Sequence, residues 1–288
     1  MNRIRTAFVI AVVVVAAGLF FSQRDGKGLI SPLGGGQPVA SPTPTPSPSP
    51  TPKPTPTPIP LPDPKVYGPC KNIPVLLYHH VQPQEDAKAN GQVSISMSNE
   101  IFATQMAYLK ERGYRTLTPR ELLDGLVSNS LSGRIVLLTF DDGYEDFYKY
   151  AYPELVKNSL RATVFVSTGL MGNPGYLSWG QISEMKGSGL ITFGNHTWSH
   201  KNLGAASEEG IRYEVATAKT QLEEHGLGPV DLFAYPYGGE TKKVQKMLED
   251  LGIKIAFTTI PGPYQCAKLP LDFRRSRVGN SPLSAYGL

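Results

Sequence analysis

The chain has 288 residues and a formal net charge of +4, but this positive charge belongs to its N-terminal part. Six of the 28 Lys/Arg residues and two of the 24 Asp/Glu residues precede Val66, so the remaining 223 residues carry 22 of each. A neutral domain does not match a nucleic-acid phosphate backbone, so we expect no nucleic-acid partner. The domain is long enough to bury one hydrophobic core, and we expect it to be a monomeric head.

The N-terminal segment has the composition of an export signal. Arg3 and Arg5 precede an almost purely apolar run from Ala7 to Phe21. The run is short for a membrane span, which needs about 20 residues, unless its polar flanks extend it. No small-residue cleavage site follows cleanly, so we favour an uncleaved signal-anchor over a cleaved signal peptide for residues 1–22.

Residues 23–65 have the composition of a linker, with proline at every even position from Pro42 to Pro64. Alternating prolines remove half of the amide donors, which excludes helix and sheet and favours polyproline II. At about 3.1 Å per residue, the stretch from Pro38 to Pro64 would reach roughly 80 Å. We predict a stiff spacer that holds residues 66–288 at the extracellular face of the membrane or in the cell wall, either membrane-anchored or secreted.

Beyond Val66, apolar strand-like runs alternate with amphipathic segments of helical length. The strand-like runs are IPVLLYH, RIVLLTF, ATVFVST, ITFGNHT, LFAYP and IKIAFTT. Among the helical patterns is SEEGIRYEVATAKTQLEEHG, which Ser207 opens and Gly226 ends. The alternation predicts an α/β fold with a parallel sheet covered on both sides. About six or seven units fit either a barrel or an open doubly wound sheet.

Polar side chains follow several of these runs at the point where each predicted strand ends. They are Tyr78-His79-His80, Asp141-Asp142, Asn195-His196 and Tyr235-Pro236-Tyr237. The carboxyl ends of parallel strands meet on one face in both candidate architectures, and sites form there. The sequence therefore predicts a functional site at this rim.

Two histidines and two aspartates in this set suggest a metal centre. His196 and His200 lie four positions apart in HTWSH, and on one helical turn both imidazoles would face the same ion. Asp141 and Asp142 repel one another unless a cation neutralises one of them. Two histidines and one carboxylate leave coordination positions open for water and substrate, and the second carboxylate is free to act as a base. Without the histidines, TFDDG would be an ordinary strand-end turn.

The two cysteines, Cys70 and Cys266, lie near the two ends of the head. In an exported protein they could form a disulfide, and two free thiols are the alternative. Their spacing excludes a zinc knuckle.

Three motifs resemble those of the NodB-homology polysaccharide deacetylases, carbohydrate esterase family four. They are TFDDG at Thr139–Gly143, HTWSH at His196–His200 and FAYPYG at Phe233–Gly238, the last in the form seen in poly-N-acetylglucosamine deacetylases. The resemblance extends from about Pro74 to Val278. It implies a distorted (β/α) barrel of fewer than eight units, here preceded by the hydrophobic anchor and the Pro-rich linker.

The resemblance also implies roles for individual residues. Asp141 would be the general base, and Asp142, His196 and His200 would hold a divalent metal. Zinc is the expected ion, with iron, cobalt, nickel and manganese as alternatives. The backbone N–H of Tyr237 would help to hold the substrate's oxyanion.

The segment LLYHHV resembles the one that precedes the first motif in a branch with a permuted site. That match makes His79 the general acid, with His80 facing the other way on the strand. A packed, hydrogen-bonded histidine is the alternative for His79. No histidine follows His225, so the late histidine motif of the family is missing, which strengthens the case for His79.

A second departure from the family concerns an arginine. Many members begin the third motif with an arginine that pairs with the catalytic aspartate, but Phe233 and Ala234 occupy that region here. The later FRRSRV segment would place an arginine in the same region, close to the catalytic aspartate and the substrate. Arg275 is the better match and Arg277 the alternative.

The predicted function is metal-dependent hydrolysis of N-acetyl groups on N-acetylglucosamine polymers at the cell surface, either poly-N-acetylglucosamine or peptidoglycan, with release of acetate. Four aromatic side chains near the rim could stack on sugars: Tyr144, Trp179, Trp198 and Tyr237. Three rival functions remain.

The first rival is a mononuclear iron oxygenase, which also uses two histidines and a carboxylate, but the second aspartate counts against it. A glycosidase needs carboxylates opposed across a cleft, which adjacent residues cannot provide. A catalytically weak wall-binding module with the same fold is the non-enzymatic alternative.

Overall fold

The computed structural model describes residues 62–288. The predicted anchor at residues 1–22 and nearly all of the predicted linker at residues 23–65 lie outside the described residues. Within residues 62–288, no helix combines the length and apolar character that a bilayer span requires.

Twelve strands and eight α-helices form the described part of the chain. The strands are β1 (Cys70–Asn72), β2 (Val75–Tyr78), β3 (His80–Gln82), β4 (Ser96–Ser98), β5 (Arg115–Thr116), β6 (Ile135–Phe140), β7 (Ala162–Val166), β8 (Ile191–Asn195), β9 (Leu232–Ala234), β10 (Ile255–Phe257), β11 (Tyr264–Cys266) and β12 (Ser276–Arg277). The helices are α1 (Pro64–Tyr67), α2 (Gln84–Ala89), α3 (Asn99–Glu111), α4 (Pro119–Val127), α5 (Tyr152–Asn158), α6 (Trp179–Gly187), α7 (Glu208–Glu224) and α8 (Lys242–Asp250).

The main sheet is parallel and has the strand order β10-β9-β8-β7-β6-β2-β12, with β5 pairing the start of β6. The segment that leads into β12 also contacts β10, at the opposite end of this path. Ser276 and Arg277 pair with β2, while Phe273 forms a parallel bridge to Phe257 of β10. The α/β prediction is confirmed, and the parallel sheet with its helices is consistent with a (β/α) barrel.

The apolar runs in the sequence explain why the sheet is covered on both faces. Every residue of β6 and of β7 is buried, as expected for strands that face helices on both sides. Helix α3 turns Phe102, Met106 and Leu109 into the core at helical spacing. Helix α7 begins after Ser207, whose side chain accepts from the backbone N–H of Gly210 as an N-cap.

A small two-stranded sheet lies apart from the main one and contains both cysteines. Strands β1 and β11 run antiparallel with Cys70 opposite Cys266, and a disulfide joins these residues. The described cysteines are therefore not free thiols. The bond closes a loop with a sequence separation of 196 residues and ties the start of the domain to its last part.

The parallel register brings the strand-end residues to one edge of the sheet. Asp141 follows β6, His196 follows β8 and Tyr235 follows β9, so the carboxyl ends of three strands bring these motif residues to the same edge. The candidate site lies at this edge.

Candidate metal centre and active site

Asp142, His196 and His200 come together at the carboxyl edge of the sheet. One ligand atom from each side chain lies within 4.8 Å of the others. Oδ1 of Asp142 is 3.2 Å from Nε2 of His196 and 3.0 Å from Nε2 of His200. Asp142 and His196 are buried, whereas the His200 side chain is 21% exposed and faces the open side.

The hydrogen bonds around these three side chains leave an arrangement of acceptor atoms that is suited to a cation. Nδ1 of His196 lies 2.8 Å from the carbonyl oxygen of Ala234. A carbonyl can only accept, so Nδ1 carries the proton and Nε2 presents a lone pair. That lone pair faces Oδ1 of Asp142, which is buried and has no hydrogen-bond donor among the described residues. A divalent cation relieves such facing lone pairs, and a His₂Asp set is one that zinc accepts.

The loop that carries His196 and His200 is not the helical turn expected from their spacing; that prediction is wrong. Within residues 196–200 only Trp198 and Ser199 form a bend. Thr197 and His200 adopt left-handed φ values of 69° and 61°. The side-chain oxygen of Asn195 accepts from the backbone N–H of Thr197 at 2.8 Å and favours this conformation. The ring centroids of the two histidines are nevertheless 5.0 Å apart.

Glu214 of α7 holds this loop in place, and the sequence reasoning missed it. Its carboxylate accepts from the backbone N–H groups of Trp198 and Ser199 at 3.1 and 2.8 Å, and from the Ser199 hydroxyl at 2.6 Å. Glu214 is buried, although charged residues are rarely buried without partners. The sequence did contain an indication of this role. Glu214 lies three residues after Ile211 and four before Ala218, so it is a charged residue on the apolar face of the helix.

Asp141 lies beside the cluster and forms an ion pair with Arg275. The two terminal nitrogens of Arg275 donate to the two carboxylate oxygens of Asp141, each at 2.7 Å. Arg275 is 1% exposed, and its Nε donates to the carbonyl oxygen of Thr258 at 2.8 Å. Arg275 is therefore placed behind Asp141 rather than on the cavity wall, whereas Arg277 is exposed and lines the cavity.

This contact sets the charge of Asp141. Burial alone would raise the pKa of the Asp141 carboxyl group, but the Arg275 guanidinium holds that pKa below its ordinary value. Oδ2 of Asp141 is 3.9 Å from Nε2 of His196, so the carboxylate lies beside the three-residue cluster. An ionised carboxylate at this position can accept a proton from a water molecule near the cluster.

His79 and His80 face different sides, as expected for neighbours in an extended segment. His79 lines the cavity that contains Asp141 and Asp142. Burial lowers the pKa of His79 below its ordinary value, and the two aspartates oppose this shift. His80 turns away, with Nδ1 against a carboxylate oxygen of Asp146 and its ring stacked on Tyr144.

The cavity above the cluster has a volume of about 430 Å³. Two of the four aromatic residues considered for sugar stacking, Tyr144 and Tyr237, line it. The other two pack elsewhere: Trp179 stacks on His225, and the ring of Trp198 meets that of Tyr213 edge to face. The Tyr237 side chain is exposed, and its hydroxyl lies 3.1 Å from Nδ1 of His200, which orients that ring.

Backbone strain is concentrated at this cavity. Among the described residues, six non-glycine residues have positive φ, and four of these belong to the site: Asp142, Thr197, His200 and Tyr237. Each such conformation costs about 1–3 kcal/mol, most for a β-branched residue such as Thr197. Strain that the surrounding structure maintains is typical of functional sites.

Comparison with known proteins identifies the family. A family model described as polysaccharide deacetylase matches residues 128–256. The solved structure of Streptococcus pyogenes deacetylase PplD in complex with acetate is 32% identical in sequence, and the match covers 74% of this chain and 97% of that chain with a TM-score of 0.67. This chain belongs to the polysaccharide deacetylase family. The family prediction is confirmed, and with it the prediction of a deacetylase-type enzyme.

Two further proteins are similar to this chain. The structure of IcaB from Ammonifex degensii is 31% identical, and the match covers 72% of this chain and 91% of that chain with a TM-score of 0.65. The poly-beta-1,6-N-acetyl-D-glucosamine N-deacetylase of Staphylococcus aureus (strain MRSA252) is 29% identical over 176 residues, 57% of this chain and 61% of that protein. The chain thus spans less than two thirds of the length of this curated Staphylococcus relative.

Proposed function

We propose that this protein is a metal-dependent N-deacetylase that removes N-acetyl groups from an N-acetylglucosamine polymer and releases acetate. The observation that carries this proposal is the position of the Arg275-clamped Asp141 beside the Asp142–His196–His200 cluster, at the floor of an open cavity. The cluster accounts for metal binding and the clamped carboxylate for a base. The name of the S. aureus relative supports the polymer.

Each site residue has a proposed task in amide hydrolysis. A divalent ion held by Asp142, His196 and His200, most simply zinc, would polarise the acetamide carbonyl and lower the pKa of a bound water. Asp141 takes a proton from the attacking water, and Arg275 keeps Asp141 ionised for this step.

Two further residues act on the other side of the scissile bond. His79 gives a proton to the departing amine, which would otherwise be a poor leaving group. The backbone N–H of Tyr237, held at a left-handed φ of 58°, donates to the oxygen that gains charge in the transition state. Burial lowers the pKa of His79, so its protonated ring gives up the proton more readily.

The N-terminal region has a separate proposed task. Residues 1–22 tether the protein to the membrane, and residues 23–65 hold the head away from it, so the head at residues 66–288 acts at the extracellular surface or in the wall. The composition of both segments supports this arrangement. A variant lacking residues 1–61 should remain folded and monomeric and should keep its acetate release on a short oligomer, but should lose membrane association. Aggregation of that variant would mean that residues 1–61 are needed for the fold of the head.

The function is tested by acetate release from three substrates. Oligomers of β-1,6-linked N-acetylglucosamine, chitin oligomers and N-acetylated peptidoglycan are incubated with zinc-loaded protein, and acetate is measured enzymatically. We expect the fastest release from the β-1,6-linked oligomer. An Asp141→Asn protein is the matched control and should release almost none. Polymer binding without acetate release from any of the three would show a wall-binding module instead.

A further inference from the structure

A groove lies at the point where the described part of the chain begins, and it has no task in the proposed reaction. Its volume is about 450 Å³. Five apolar or aromatic residues contribute to its wall: Tyr67, Pro261, Pro263, Tyr264 and Leu269. Pro62, the first described residue, also lines this entry groove and is half-buried. The chain that precedes Pro62 therefore reaches the head at the entry groove.

The residues that follow Pro62 are held on the head, which fixes the place where the linker arrives. The backbone N–H of Lys268 donates to the carbonyl oxygen of Tyr67 at 3.1 Å. The backbone N–H of Ala267 donates to the carbonyl oxygen of Pro69 at 2.9 Å. The disulfide of Cys70 follows directly and adds a covalent attachment. The mouth of the entry groove is therefore the fixed end of the linker.

The residues that arrive there suit an apolar and aromatic wall. Residues 57–61 have the sequence TPIPL, which contains two prolines and no charged residue. Alternating prolines favour polyproline II, a helix with three residues per turn. Ile59 lies three positions before Pro62, so both side chains are on the same side of such a helix. A segment that continues from Pro62 in this conformation turns Ile59 toward the entry groove.

The entry groove also offers hydrogen-bond donors to this segment. Lys242 and Arg274 line it, and both are exposed. A polyproline II helix has no internal hydrogen bonds, so its carbonyl oxygens remain available as acceptors. Proline-rich segments are typically bound in grooves lined by aromatic residues, because their preformed conformation leaves little entropy to lose. The combination of aromatic rings and donors is suited to such a segment.

We propose that residues 57–61 dock in the entry groove as a polyproline II segment, with Ile59 as the apolar anchor. This inference goes beyond the proposed reaction and does not depend on it. The segment that follows β10 lines two cavities, with Thr259 at the metal-centre cavity and Pro261 at the entry groove. Docking would therefore give the spacer a fixed exit direction from the head, set relative to the active-site cavity.

Photo-crosslinking tests the position of the segment directly. Full-length protein in detergent solution is prepared with benzoylphenylalanine in place of Ile59 and, as the matched control, in place of Ile30 of the linker. Mass spectrometry after irradiation identifies the peptides that are joined to the label. We expect position 59 to crosslink to residues 261–274 and position 30 to give no preferred product. Equal crosslinking from both positions, or crosslinks from position 59 to another part of the head, would overturn the proposal.

Side-chain truncation in the full-length protein shows whether the contact stabilises the head. Ile59→Ala should lower the melting temperature by about 2–4 °C, because the burial of its side chain is lost. Ile30→Ala should melt like the wild type. Tyr67 is 38% exposed, so Tyr67→Ala should fold, and the double variant should lose less than the sum of the single losses. Additive losses would contradict a contact between Ile59 and the groove wall.

Sedimentation and activity distinguish this inference from its alternatives. A dimer of full-length protein that Tyr67→Ala dissociates would assign the entry groove to a second copy of the chain and overturn the proposal. A monomer whose position 59 crosslinks within one chain supports it. Acetate release should be the same in Ile59→Ala and in the wild type. Absence of acetate release from both, with the crosslink present, would contradict only the proposed function.

Discussion

Arg275 and Asp141 form a two-pronged ion pair across 134 positions of the chain, with both nitrogen–oxygen distances at 2.7 Å. Both side chains are almost fully buried. Fork-to-fork geometry of this kind fixes the carboxylate plane as well as its charge. The pair therefore determines both the orientation and the ionisation of the proposed base.

Removal of this arginine should affect turnover and stability together. In Arg275→Gln, Asp141 keeps its position only loosely, so we expect kcat to fall by about 10²-fold or more while KM changes little. Breaking a buried pair from one side costs about 3–5 kcal/mol, so the midpoint of urea denaturation should also fall. Arg277→Gln is the control, since Arg277 is exposed. Wild-type kcat in Arg275→Gln would contradict the role given to the pair.

Arg275→Gln should also change the pH dependence of the rate. In the wild type the pKa of Asp141 lies below its ordinary value, so the base is ionised throughout the neutral range. Loss of Arg275 removes the positive neighbour, and the pKa of Asp141 should rise. The acidic limb of kcat/KM against pH should therefore move to higher pH in Arg275→Gln. A limb at the same pH in both proteins would mean that another group controls it.

The ionised Asp141 should also contribute to stability in a defined pH range. Because its pKa is lower in the folded than in the unfolded chain, this contribution is present above the unfolded value of about 3.9 and is lost as pH falls through the folded pKa. A plot of unfolding free energy against pH should fall less steeply below pH 4 in Arg275→Gln than in the wild type.

The sequence predicted the fold class and the strand-end position of the polar motifs because both follow from local patterns. Buried strands such as β6 are apolar at nearly every position, and the carboxyl ends of parallel strands share an edge. The conformation of HTWSH could not be predicted in this way. Spacing suggested a helical turn, but the loop depends on Asn195 beside it and on Glu214 from a helix that follows. These are tertiary contacts, which periodicity does not encode.

The contact of Glu214 with the HTWSH loop leads to a prediction about metal affinity. Glu214→Gln keeps the size of the side chain but weakens its three hydrogen bonds to residues 198 and 199. Losses of supporting contacts around metal ligands typically reduce affinity 10- to 100-fold, and we expect about this change for zinc. Glu209→Gln, at an exposed position of the same helix, should bind zinc like the wild type. Competition with a zinc indicator measures both, and unchanged affinity in Glu214→Gln would exclude a supporting role.

The disulfide should stabilise the head without taking part in the reaction. Cys70 and Cys266 lie in the sheet of β1 and β11, away from the residues that line the metal-centre cavity. Replacing both cysteines by serine should lower the unfolding free energy by about 2–4 kcal/mol, because the open chain gains entropy on unfolding. Acetate release at 25 °C should be unchanged. A variant as stable as the wild type would show that the bond has no structural role.

The central claim is that Asp142 helps to hold a metal while Asp141 acts as the base, and zinc titration beside acetate release tests it most directly. Metal-stripped wild type should be inactive and should recover fully with one zinc ion per chain. Asp141→Asn should bind zinc but turn over about 10²–10⁴-fold more slowly. Asp142→Asn should bind zinc weakly and recover partly when zinc is in excess. Equal loss of zinc in both variants, or full activity of the metal-stripped wild type, would contradict the account.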